Sequence, residues 1–402
     1  MKNTTDRYSD GTEPAKHRLL PQRVRGLASP AGHATNRPRA GKGILVFSRY
    51  ADVSAVVRDP AFASKDADWF AAHLPGWRQS AGMRLFGTSM LFHNGASHQR
   101  LRKVLLPAFS PARLRSLRET VRAVTERRLD LLLGQPRGEV VDLHALFTFP
   151  VTSATGCALI GVPEEDGPLL HEWVQPLLGL LDPEVGPRTL AGANRAAGEL
   201  RPYIDKLVAE RRARPQDDLA SLVAVALDDD EAASALALTL AAGFDTTVTL
   251  LDHALSALMR SPASASVASG EPACVDAAVS EALRLASPVQ LITRVAQREV
   301  SVGEVQVRPG QEVMALIADA HRDPEYFPDP ETFELHRPAS RLLSFGGGAH
   351  YCLGAQLARL EASVVLPALL RRVPRMAPAG SPRPNDRVTM HGWTDLPVVL
   401  GP

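Results

Sequence analysis

A chain of 402 residues that is 45% hydrophobic is long enough to bury a large core, either as one big domain or as two ordinary ones. Its 45 Lys and Arg stand against 44 Asp and Glu, and a formal charge of +1 excludes a global field for nucleic acid or an acidic polymer. Three widely spaced cysteines, Cys157, Cys274 and Cys352, argue against a disulfide framework and for a reducing cytoplasm.

The first forty residues, rich in Pro, Gly and Arg, read as a mobile arm, flexible over 1–28, without the apolar stretch of a secretory signal or membrane anchor. A short strand is expected at 44–48. Helical periodicity starts near Ala51, His98, Ser110 and Asp142, runs through 196–212, and resumes over 231–260, 275–285 and 353–372. Between them, 261–272 reads as a loop of small residues. The segment 299–317 alternates polar and apolar residues about Gly303 and Pro309-Gly310, as hairpin strands do. The most apolar stretch, 232–244, carries Ser234 and Thr239 and is followed by Asp245, too short and polar to span a bilayer. No repeat or linker cuts the chain. The expected fold is mainly α with a minor β region, one large helix-rich domain over 29–402, soluble and monomeric.

The most informative stretch is FGGGAHYCLGAQLAR, 345–359, which sets Cys352 just before an apolar helix. Gly346, Gly347 and Gly348 let backbone bend tightly and approach a flat partner. A cysteine at a helix N-terminus meets the positive end of the macrodipole and unpaired N–H groups, which favour the thiolate that an iron ligand needs. Gly354 keeps the first helical turn clear of a bulky macrocycle, and Phe345 shields the sulfur from water. Taken alone, Cys352 reads first as a buried core thiol beside a glycine turn, the usual place of a lone cysteine. Zinc is disfavoured, because no second cysteine lies two to four residues away.

This loop resembles that of the cytochrome P-450 family, F-G-x-G-x-H-x-C-x-G, at every fixed position from Phe345 to Gly354. The resemblance implies Cys352 as the proximal ligand of haem b and His350 as a contact to a haem propionate. It implies a distal long helix and a proximal cysteine loop with haem between them. The family's other signatures follow in order. Glu281-Ala282-Leu283-Arg284 matches E-x-x-R, by itself an ordinary helix pair of under about 1 kcal/mol. AHRDPEYFPDPETFELHRP, 320–338, matches the proline-rich segment leading to the loop. In SHQRLRK, His98 and Arg102 share one helix face and match H-x-x-x-R, implied to pair with haem propionates. The preceding HNGAS departs from the usual acid-proline-proline run. Arg294 is the implied third propionate partner, and Met90 and Leu91 are placed against the cofactor.

Ala242-Gly243-Phe244-Asp245-Thr246-Thr247 resembles the family's A-G-x-[DE]-T-T on the distal helix. Gly inside an apolar helix costs about 1 kcal/mol, and a buried carboxylate needs partners, so such rule-breaking marks a functional site. By the resemblance, Gly243 opens a groove for dioxygen, Ala242 lies against the cofactor, Thr246 hydrogen-bonds the bound oxygen, and Asp245 helps relay protons, the last two being the catalytic pair. The bland reading is a pair of threonines bonded back to helix carbonyls. The retained acid-alcohol pair implies electrons from NAD(P)H through a separate reductase and ferredoxin. Arg100, Lys103, Arg113, Arg115 and Arg118 offer either a ferredoxin docking surface or a solvated helix face.

Substrate contacts are expected within 68–91 and 168–194, from Val289, Gln290, Leu291 and Ile292, and from Trp393 and Thr394, with Gln290, Trp393 and Thr394 as orienting groups. A small, largely apolar organic substrate of secondary metabolism follows. Hydroxylation is the default, with epoxidation, coupling and demethylation open. Two further readings are a haem-binding sensor or carrier without turnover, and a helical protein without haem.

Overall fold

A computed structural model describes residues 35–39, 42–136, 138–337 and 342–401. The predicted arm, 1–28, lies outside the described residues, as does Pro338 at the end of the proline-rich segment.

The helices, in chain order, begin with α1 (Tyr50–Arg58), α2 (Ala67–His73), α3 (Ala81–Gly87), α4 (Gly95–Leu105), α5 (Pro111–Leu133), α6 (Phe149–Ile160) and α7 (Gly167–Leu178). They continue as α8 (Pro187–Ala213), α9 (Leu219–Ala226), α10 (Asp229–Leu258), α11 (Ser264–Ala268), α12 (Pro272–Leu285), α13 (Ile317–Ala320) and α14 (Ala355–Arg372). Local chemistry sets several ends. Ser110 caps α5 with Pro111 at its first position, and Asp228 caps α10 by accepting the Glu231 N–H at 2.9 Å. Asp229, Asp230 and Glu231 in the first turn complement the dipole of α10. At the end of α6, Gly161 adopts φ +96°, a left-handed cap that favours glycine.

Helix α10 is the axis of the core. It packs against α3, α6, α7, α8, α9, α12 and α14, and Leu236, Leu240, Phe244, Leu250, Leu251 and Leu255 are all buried. A helix apolar nearly all round belongs inside a protein. Contrary to expectation, this helix is long and apolar enough to cross a membrane, but 67% of its most apolar stretch is buried against its neighbours. Burial rather than length marks it as a core helix.

The minor β region is a five-stranded sheet, in order β1 (Thr35–Arg39), β2 (Lys42–Phe47), β8 (Glu312–Leu316), β5 (Leu291–Ala296), β3 (Phe62–Ala63), with two small sheets. One of these comprises β4 (Val140–Asp142), β10 (Pro397–Leu400) and β9 (Met376–Pro378); the other pairs β6 (Val300–Val302) with β7 (Val305–Val307). The strands predicted around Gly303 form the β6–β7 hairpin, with Gly303 at φ +56°. The second half of that segment behaves differently: β8 leaves the hairpin and lies between β2, in parallel, and β5, antiparallel. The segment 261–272, predicted as loop, contains α11. The helix predicted near Asp142 begins as a π-helical turn, His144–Thr148, because Asp142 itself ends β4. Helix α8 starts at Pro187, well before 196, since proline is tolerated at a helix's first position. The sheet and the helical body meet at one large cavity, which draws its wall from β2, β5, α10 and the cysteine loop.

Candidate active site

The loop before α14 is shaped by glycine. Gly346 and Gly348 hold φ +69° and +60°, and a Cβ on Gly347 would fall 2.7 Å from Cγ of Arg58. The loop closes on itself through the Cys352 N–H, which donates to the Phe345 carbonyl at 2.9 Å. Cys352 is a free cysteine lining the cavity, and the N–H groups of Gly354 and Ala355 donate to its sulfur. Burial pushes the thiol pKa up and outweighs those N–H groups and Arg102, so the direction is upward. The thiolate expected from the helix end alone is therefore not favoured by the protein by itself; a cation at the sulfur would supply the balance.

Along one edge of the cavity stand His98, Arg102, Arg294 and His350. The two histidine rings lie 4.2 Å apart, centroid to centroid. Arg294 is buried, and its Nη1 donates to the Thr293 carbonyl at 2.9 Å; burial lowers its pKa to about 10. Burial, then Arg294, His98 and Arg102, lower His350 to about 3. Nε2 of His98 is buried with no partner. Among the described residues no carboxylate pairs with Arg102 or Arg294. Two guanidiniums and two imidazoles thus converge on a place where an anionic group would satisfy them.

Across the cavity, α10 presents Ala242, Gly243, Thr246 and Thr247. Thr246 Oγ1 donates to the Ala242 carbonyl at 2.6 Å, the back-bond of the bland reading, from a position that also faces the cavity. Asp245 is not among the lining residues. Its carboxylate receives Nη1 of Arg387 at 2.8 Å, His171 Nε2 at 2.9 Å and the Gln175 amide. Burial pushes its pKa up, but His171 and Arg387 outweigh this and hold it below the usual carboxylate range. The Arg387 guanidinium also bonds Gln175, so this network ties the C-terminal loop to α7 and α10. Sequence patterning offered no signal for His171 or Arg387, which lie 74 and 142 positions from Asp245.

The cavity volume is about 1560 Å³, with Met90, Leu91, Phe345, Gly354, Val289, Leu291 and Ile292 in its wall. That exceeds the ~300–1,000 Å³ of an ordinary ligand pocket and fits a flat macrocycle with a second molecule beside it. Three expected substrate contacts lie elsewhere. Gln290, just ahead of β5, is buried behind the wall, where its side-chain amide donates to the Ser287 carbonyl and its backbone N–H to the Thr389 carbonyl at 2.9 Å. Trp393 packs edge-on against His253, and Thr394 bonds the Arg383 carbonyl. The C-terminal loop instead contributes Thr389 and Met390. The segment 68–91 supplies Trp69, Phe70, Trp77 and Met83, and 168–194 supplies Leu180 and Leu190.

Arg284 and Glu281, nearly fully buried, form a bidentate pair at 2.8 and 2.9 Å. Arg284 also donates to the carbonyls of His321, Pro330 and Thr332, binding α12 to the proline-rich segment ahead of the cysteine loop. Of the proposed docking cations, Arg100 is paired with Glu231 and Arg113 with Asp217, whereas Lys103 and Arg115 are exposed.

Comparison with known proteins agrees with this architecture. The biotin biosynthesis cytochrome P450 of Bacillus subtilis (strain 168) is 35% identical over 71% of this chain and 73% of its own length. The cytochrome P450 monooxygenase PikC of Streptomyces venezuelae is 32% identical over 95% of this chain and 88% of its own. A crystal structure of P450BioI with a hexadec-9Z-enoic acid-ligated acyl carrier protein superposes with a TM-score of 0.83 at 30% identity, covering 91% and 94% of the two chains. The family description cytochrome P450 matches residues 41–266 and 273–396. With its glycine-bent cysteine loop facing the Ala242–Thr247 groove across one cavity, and with that match over most of its length, this chain belongs to the cytochrome P450 family of haem-dependent monooxygenases.

Proposed function

We propose that the chain binds haem b through Cys352 and oxidises a small, largely apolar organic molecule of secondary metabolism, hydroxylation being the default outcome. The observation that carries this reading is the acid-free cluster of His98, Arg102, Arg294 and His350 beside a cavity-lining cysteine. Two propionates would neutralise the guanidiniums and give His98 Nε2 a partner. When bound, the haem supplies dioxygen activation, which a thiolate ligand promotes.

The chain's own residues do the rest. Met90, Leu91 and Gly354, which line the cavity, would bed the macrocycle, and Phe345 would keep water from the sulfur. Ala242 and Gly243 leave space in the distal wall, since a Cβ on Gly243 meets nothing within 4 Å. The Thr246 hydroxyl holds its proton on the Ala242 carbonyl and turns it toward the cavity when an acceptor arrives. Asp245, held ionised by Arg387 and His171, takes part in proton delivery only by exchanging one of those partners. Trp69, Phe70, Trp77, Val289, Leu291 and Ile292 give the substrate an apolar bed. Electrons come from NAD(P)H through an external reductase and ferredoxin, for which Lys103 and Arg115 are exposed and have no acidic partner among the described residues. Three free cysteines support a cytoplasmic setting, and residues 29–402 act as one domain.

The test is an absorption spectrum of the reduced protein with carbon monoxide. A red-shifted Soret band is expected, and Cys352→His should abolish the shift. An unshifted band, or a colourless protein, would defeat the assignment. Bound haem with the shifted band but no NAD(P)H-dependent oxidation across a substrate panel would favour a sensor or carrier.

A further inference from the structure

Three threonines besides the Thr246–Thr247 pair line the cavity, Thr152, Thr239 and Thr389. Each spends its hydroxyl proton on a main-chain carbonyl, that of Thr148 at 3.0 Å, Ala235 at 2.8 Å and Leu181 at 2.9 Å. They therefore present lone pairs, not protons, to a bound molecule. Beside Thr389 stands the half-buried carboxylate of Asp182, in the connection between α7 and α8 and also on the cavity wall. Its Oδ1 accepts the N–H groups of Val388 and Thr389 at 3.1 and 2.8 Å, which fixes the side chain against the C-terminal loop. Among the described residues Oδ2 has no hydrogen-bond partner and no cation pairs with Asp182.

The surroundings strengthen that carboxylate. Leu180, Leu181, Pro183 and Val185 flank it on the wall, and Leu180 packs on the Phe70–Trp77 cluster. Apolar neighbours lower the local dielectric and so deepen the attraction for an opposite charge. The wall's cations are otherwise engaged or exposed. Lys65 pairs with Glu312 at 2.8 Å, Arg102 and Arg294 stand at the edge assigned to the propionates, and Arg308, just after β7, is exposed. An anion held by Arg308 would gain only what a solvated surface pair gains. We propose that the substrate is a cation, an apolar body carrying a protonated amine whose N–H donates to Asp182 Oδ2. The body lies over Leu181, Val289 and Met390. The inference rests on the monooxygenase reading above and narrows its substrate to apolar amines.

The test compares N,N-dimethyldodecylamine, dodecan-1-ol and dodecanoate on the haem-loaded enzyme, below the concentrations at which they form micelles. Calorimetry and displacement of the iron-bound water in the absorption spectrum read the affinities. The amine should bind wild type at least about tenfold tighter than either of the others, and its advantage should shrink as salt rises. Asp182→Asn keeps an oxygen for the Val388 and Thr389 N–H groups and removes only the charge. It should weaken the amine at least about tenfold and change the alcohol by less than about twofold. An amine that binds wild type no better than the alcohol, tighter binding of dodecanoate, or an amine affinity unchanged by Asp182→Asn would overturn the proposal. If Asp182→Asn fails to fold, the wild-type ranking and its salt dependence still decide. A wild type without the red-shifted carbon monoxide band would instead defeat the haem reading, and calorimetry would still rank the three ligands.

Discussion

Removing Arg284 tests whether the E-x-x-R pair is structural glue rather than a surface salt bridge. Arg284 makes two bonds to Glu281 and three to the carbonyls of His321, Pro330 and Thr332, and it is 1% exposed. Arg284→Ala leaves the Glu281 carboxylate buried with Arg337 at 3.0 Å and the Glu334 N–H at 3.0 Å as remaining partners. Breaking a buried pair from one side costs about 3–5 kcal/mol, and the retained Arg337 argues for the lower end. The three carbonyls add about 1 kcal/mol each where water does not replace the guanidinium. A loss of about 4–6 kcal/mol approaches the whole of a typical stability of about 5–15 kcal/mol. Arg284→Lys keeps the charge but not the five-donor fork, so it should fall between wild type and alanine. Urea unfolding measures the loss, and the carbon monoxide spectrum reports whether the cysteine loop still holds haem. Arg284→Ala with a free energy within about 1 kcal/mol of wild type and a full thiolate spectrum would refute the reasoning.

Other consequences follow from single groups. His253 and His321 are buried and lowered to about 4 and about 3, chiefly by burial, so both are neutral in the native state and protonate once unfolded below pH 6.5. Their contribution is complete above pH 6.5 and is lost as pH falls toward 3–4. At pH 5 each costs about 2 kcal/mol; urea midpoints at pH 7.5 and 5 should show the drop, and His253→Phe should lessen it. Gly243→Ala adds a methyl that meets nothing within 4 Å, so it should gain up to about 1 kcal/mol of helix stability while slowing dioxygen-dependent turnover. A thermal melt that falls would contradict this. Thr246→Ala should divert reducing equivalents to peroxide, measured as NAD(P)H consumed per product, and tight coupling in that variant would discredit the hydroxyl's role.

Much of the site was legible because its residues sit close together in the chain. Phe345, His350, Cys352 and Gly354 lie within one loop, His98 and Arg102 on one helix face, and Ala242 to Thr246 on another, and all but Asp245 and Phe244 reach the cavity. Gln290, Trp393 and Thr394 lie away from the cavity because which face of a strand or loop looks inward depends on what packs behind it; here the Ser287 and Arg383 carbonyls hold Gln290 and Thr394, and the His253 ring packs on Trp393. Helices α2, α3, α7, α9 and α13 went unread: α2, α3 and α13 are seven residues or fewer, α7 contains Pro176, and α9 is a short, almost wholly apolar run that periodicity cannot assign.

The sequence alone determined the helical class, the glycine-bent cysteine loop and the order of motifs along the chain, since each depends on residues a few positions apart. Tertiary structure decided how those motifs meet. It set β8 between β2 and β5 rather than in a local hairpin, clamped Asp245 with His171 and Arg387, and buried Glu361 against Thr155 at the cavity. Such pairings join residues scores of positions apart, and their energy comes from excluding water around charged and polar groups, which only the assembled core achieves.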